Sequence, residues 1–159
     1  MKTHEATTEG VALAEFDIAW DVATLTSPTA FYPRFGPLPG VVAVVGQSGD
    51  WSVVGRVRTL RLSDGGSVVE RLTVVDRPDR FAYELSAFTG AFGALVHHAN
   101  ADWRFVRIAG GTSIRWSYRF TARQGAGALV GLIVRFAWAP YMRRVLPGIL
   151  AEARRQASA

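Results

Sequence analysis

The sequence predicts an α+β fold: a curved antiparallel sheet wrapped around one long C-terminal helix, with two short helices after the first strand. Three observations carry this. Residues 41–123 alternate with period two and are broken only by turn-length segments. Residues 128–157 place apolar side chains at three/four spacing. Between them and the N-terminus lies a proline-punctuated stretch, "SPTAFYPRFGPLPG", that has room only for brief helical turns.

Taken in order, "VALAEFDI" (11–18) reads as the first strand, weakly alternating, and His4 falls in a frayed terminus. Ser27 before Pro28 is an N-cap signal with proline at the first helical position. "VVAVVG", "WSVVGRVRTLRL", "SVVERLTVVD", "RFAYELSAF", "NADWRFVRI" and "TSIRWSYRFTA" then follow as strands. The separators "QSGD", "SDGG", "DRPD", "GAFGALV" and "AGG" read as turns or loops. No helix-length segment intervenes, so the strands form an antiparallel meander. In the terminal helix, Leu132, Phe136, Ala139, Met142, Leu146 and Leu150 mark the expected apolar stripe, with kinks at Pro140 and Pro147.

Composition narrows the function. The 159 residues suit a single domain, 1–159, with a sizeable core, and no internal repeat is visible. Without cysteine there is no disulfide framework, thiol nucleophile or zinc-thiolate site. The net charge is +5, but the arginines are scattered and only Arg143–Arg144 and Arg154–Arg155 are doublets. A nucleic-acid platform would need a basic stripe interleaved with aromatics, so no nucleic-acid partner is expected. "GALVGLIVRFAWAPYM" is interrupted by Arg135 and followed by basic residues. It reads as a core helix, with shallow membrane contact as the alternative. "MKTHEATTEG" has no apolar run after its lysine, so a cytoplasmic location is expected. No phosphate loop, nucleophile elbow or paired-carboxylate signature is present, and nothing requires a metal, nucleotide or other cofactor.

This element order, with "GDWSVVGRVRTLRLSDGGSVVERLTVVDRPDRFAYEL" and "GGTSIRWSYRF", resembles the START-like superfamily, in particular its polyketide cyclase/dehydrase and lipid-transport branch. The resemblance implies the helix-grip fold and a deep cavity between concave sheet and terminal helix. There it implies an apolar or amphipathic small-molecule ligand, lipid- or polyketide-like. It also implies a second possibility, a cyclase, aromatase or dehydratase using acid/base groups in that cavity. Members of the superfamily differ in function, so fold alone does not decide.

The hairpin "LSDGGSV" sets which residues face inward. A three-residue loop of Asp64, Gly65 and Gly66 would pair Ser63 with Ser67, placing Leu62 opposite Val68, Leu60 opposite Glu70 and Arg58 opposite Leu72. A two-residue loop would send Glu70 to the opposite face from Leu60. "ERL" at 70–72 is similar to the Glu-Arg-Leu of the plant hormone-receptor branch, whose glutamate lines the pocket; this favours Glu70 inward, with Arg58 diagonal to it. By parity, Tyr83 and Leu85, Trp103 and Phe105, and Trp116 and Tyr118 share that face as core, ligand contacts or both. His97 shares parity with Trp103 and would reach the cavity mouth; His97 and Asp102 lack a recognised metal-ligand spacing.

Overall fold

The computed structural model describes residues 1–159. Seven strands run β1 (Thr3–Ala12), β2 (Val41–Val45), β3 (Val57–Leu62), β4 (Ser67–Asp76), β5 (Arg80–Ser86), β6 (Val96–Ile108) and β7 (Gly111–Ala122). They form one antiparallel sheet in the order β1-β7-β6-β5-β4-β3-β2. Helix α1 (Phe16–Leu25) and a 3-10 turn (Pro28–Ala30) follow β1, and a short helix α2 (Gly90–Leu95) joins β5 to β6. The chain closes with α3 (Gly127–Ile133), a π-helical turn (Val134–Trp138) and α4 (Ala139–Ala157), which run on as one helix.

The first strand is not where the alternation of residues 11–18 placed it. β1 covers Thr3–Ala12, and Phe16 already begins a helix with Asp17 in its first turn. The inward side of β1 is made of His4, Ala6, Thr8, Gly10 and Ala12, none a large apolar residue. The helix is the reason: a Cβ on Gly10 would stand 2.6 Å from Leu150 Cδ1. Close approach of helix to strand requires small residues there, and small residues hide the period-two signal. His4 is likewise not in a frayed end. It pairs with Phe120 in the sheet and packs under Gly131 of α3.

Two further segments differ from expectation. Residues 51–56 are a turn, so β3 begins only at Val57. "GAFGAL" is helical although it reads as a loop. In the terminal helix the inward positions are Val130, Val134, Ala137, Tyr141, Met142, Val145, Leu146, Ile149 and Ala153. Met142 and Leu146 were expected there; Leu132 and Phe136 instead face water. Residues 127–142 are apolar on nearly every side, so periodicity alone does not choose a face. The π turn also resets the phase just before Pro140, which cannot donate a bond back to Phe136.

The core is one cluster between the concave sheet and the helices. At its centre Trp103 and Trp116 stack with ring centroids 4.6 Å apart. Leu72, Phe105 and Ile114 are fully enclosed beside them.

Candidate ligand-binding chamber

The β3–β4 hairpin fixes the polar centre of the interior. Its loop has three residues, as expected, but they are Ser63, Asp64 and Gly65, one position earlier than the Asp64–Gly66 loop. Leu62 N–H donates to the Gly66 carbonyl at 2.9 Å, and Gly65 takes the left-handed conformation at φ +85°. The pairing sum therefore moves by two, an even number, and faces are preserved. Arg58 comes directly opposite Glu70 instead of diagonal to it, and Leu60 opposite Val68.

Arg58 and Glu70 are both buried, with side chains 7% and 4% exposed. Arg58 Nε donates to Glu70 Oε2 at 2.6 Å. The guanidinium also lies over the Trp51 ring, 4.0 Å from its centroid, and donates to Gln47 Oε1 at 3.3 Å. Burial pushes the Glu70 carboxyl above the ordinary carboxylate value, and the Arg58 charge opposes that rise without cancelling it.

Around this pair is a chamber of about 100 Å³. Of the residues the sequence placed inside, Arg58, Leu60, Leu62, Glu70, Tyr83, Leu85 and Tyr118 line it. Leu72, Trp103, Phe105 and Trp116 share the concave face but are packed core without a share of the lining. His97 does not belong. The strand bulges between Val96 and His98, so parity fails there and His97 is exposed. Asp102 is on the convex face, where its Oδ2 accepts from Arg80 at 2.8 and 2.6 Å.

Sequence reasoning missed most of the lining. Tyr32 and Leu38 come from the proline-rich connection, Trp51 from the β2–β3 turn, Phe88 from the approach to α2, Phe92 from α2 itself, and Trp138 and Tyr141 from the terminal helix. These lie in irregular or helical segments, to which strand parity does not apply. Trp138 and Tyr141 fall inside the apolar run of the terminal helix but off its expected stripe. The Tyr141 hydroxyl donates to the Pro33 carbonyl at 2.6 Å, which ties the connection to the helix.

The phenols are hydrogen-bonding groups and not bases. Burial raises Tyr32, Tyr83 and Tyr118 far above the ordinary tyrosine value, and Tyr141 is pushed up to about 12. All four stay protonated at neutral pH. The indole N–H groups of Trp51 and Trp138 are buried with no partner, a state that typically costs about 1–3 kcal/mol each. At its present volume the chamber holds a few waters. A larger guest requires the aromatic walls to part.

A curved antiparallel sheet gripping a long C-terminal helix defines the helix-grip, START-like class. The chain belongs to the polyketide cyclase/dehydrase and lipid transport family, which matches residues 5–154. No curated protein matches the sequence. Among solved structures, the Zhui aromatase/cyclase of Streptomyces sp. R1128 is similar with a TM-score of 0.73 and 16% identity, over 98% of this chain and 96% of that one. A protein of Mesorhizobium loti gives 0.65 and 10%, over 96% and 98%. Ara h 8.0201 gives 0.58 and 15%, over 98% of each. At these identities the likeness is one of fold.

Proposed function

We propose that the protein binds an amphipathic small molecule, a hydrophobic body bearing oxygen acceptors, between the sheet and the terminal helix. The observation that carries this is the buried Arg58–Glu70 pair lining an otherwise aromatic and aliphatic chamber. Polar groups few in number and fixed in place are what orients a ligand in an apolar site. Arg58 and the protonated tyrosines supply donors. A guest that parts the walls also uncovers the indole N–H groups of Trp51 and Trp138, and its oxygens offset that exposure. A pure hydrocarbon offers none of these bonds, so the chamber discriminates against it.

The enzymatic reading, a cyclase-, aromatase- or dehydratase-type reaction, is favoured by one observation. Glu70 lines the chamber with its carboxyl raised toward the range in which an acid/base group works. The tyrosines are unsuited to act as the base, and His97 is on the wrong face, so this reading rests on Glu70 alone.

The test is a fluorescence titration, read through the tryptophans, with polyphenols and aromatic ketones beside hydrocarbons of the same size. Oxygenated compounds should bind at least tenfold more tightly, roughly the effect of one satisfied charged hydrogen bond. Native mass spectrometry of gently prepared protein should show an oxygenated guest. Equal affinity for the matched hydrocarbons would remove the polar-anchor proposal. Turnover of a bound polyketide-like compound that ceases in Glu70→Gln would move the enzymatic reading to first place.

A further inference from the structure

Three large apolar side chains of the terminal helix point at solvent on one side: Leu129, Leu132 and Phe136, exposed by 49%, 56% and 66%. Their spacing puts them on a single face. The opposite side of the same turns carries Val130, Val134 and Ala137 into the core, so the exposed set is surplus to folding. Exposed apolar side chains clustered in this way mark an interaction surface.

The charge along this part of the helix has one sign. From Gly127 to Ala151 the sequence contains three arginines and no aspartate or glutamate. Arg135 is on the helix itself, its guanidinium 5.1 Å from the Phe136 ring. Lys2 packs against Gly127 at the helix start, and Arg123, just before α3, bonds the Gly93 carbonyl. Arg143 and Arg144 are exposed further along. We infer that this face docks the protein on an anionic lipid surface, with Leu129, Leu132 and Phe136 entering the interface and the cations meeting lipid phosphates.

Two physical points favour a bilayer over a second copy of the chain. A two-fold contact would bring the same cations face to face. A stable dimer also buries roughly 800 Å² per partner, far more than three partly exposed side chains supply. Shallow insertion needs only this much: an apolar face with flanking lysine and arginine, lying in the plane of the interface. It is also compatible with the absence of any helix long and apolar enough to cross a membrane.

The experiment is sedimentation of the full chain with phosphatidylcholine vesicles, with and without phosphatidylglycerol. Binding should require the anionic lipid and weaken as salt is raised. Leu132→Ser with Phe136→Ser should reduce it roughly tenfold or more, and Arg135→Gln by a few-fold. Neither change should move the thermal midpoint, because these side chains contact water. Failure of the wild-type chain to sediment with anionic vesicles at low salt overturns the inference. So does binding that ignores the Leu132/Phe136 substitutions, or self-association of the wild type that the same substitutions abolish.

Discussion

A chain ending at residue 127 is expected to be insoluble or unfolded. The removed helix contributes Val130, Val134, Tyr141, Met142, Val145, Leu146 and Ile149 to the core, all at or below 5% exposure. At about 1.5–3 kcal/mol for each large side chain, their burial is worth on the order of 10–20 kcal/mol. That matches or exceeds the 5–15 kcal/mol of net stability typical of a whole domain. The loss is compounded on the other side of the contact, because the truncated sheet would present the stacked Trp103 and Trp116 and the ring of Tyr118 to water. Expression of the truncated chain with circular dichroism and a denaturant melt of any soluble fraction is the measurement. A soluble product that unfolds cooperatively would mean that the concave face is covered by something other than this helix.

The regular strands were legible in the sequence because one face meets water and the other the core. β4 is the plainest example: its predicted span, residues 67–76, is its observed span. Where that contrast is lost, so was the reading. β1 lines the core with Ala6, Gly10 and Ala12, small residues that carry no period-two signal, and at Gly10 the Leu150 side chain fills the space a Cβ would take. The terminal helix is apolar nearly all round at its start, so Leu132 and Phe136 were indistinguishable from Val134 and Ala137 by pattern. The site divides in the same way. Strand parity brought Arg58, Leu60, Glu70, Tyr83 and Tyr118 to one chamber, but a bulge at His97 defeated it. Trp51 comes from a turn and Tyr32 from the irregular proline-rich connection, where no periodicity points a side chain.

The Arg58–Glu70 pair allows a sharper test, because its two halves are not equivalent. Arg58 has the carboxylate, the Trp51 face and Gln47, whereas Glu70 has Arg58 as its side-chain partner. Arg58→Met keeps most of the aliphatic volume but strands a buried carboxylate, a change that typically costs about 3–5 kcal/mol. The loss should depend on pH, with a definite sign. The folded-state value of Glu70 is already above its unfolded value, and removing the cation raises it further. Such a group gives its full stabilising share below the unfolded value and loses it as pH rises through the folded one. The stability gap between Arg58→Met and wild type should therefore be widest near neutral pH and narrow on acidification, as Glu70 takes up a proton. Glu70→Gln should cost much less than Arg58→Met, since a neutral amide avoids the desolvation penalty and still accepts a bond from Arg58. Replacing both, as Arg58→Met with Glu70→Leu, should recover most of the loss, because apolar replacements of buried ion pairs are often neutral or stabilising. Glu84, half-buried opposite Asn100 in the β5–β6 ladder, is the control, and Glu84→Gln should stay within about 0.5 kcal/mol. Urea melts of the five proteins across pH decide it. An Arg58→Met gap that does not change with pH, or losses at Arg58→Met and Glu70→Gln no larger than that of Glu84→Gln, would show that the carboxylate is solvated and the pair does not anchor the chamber.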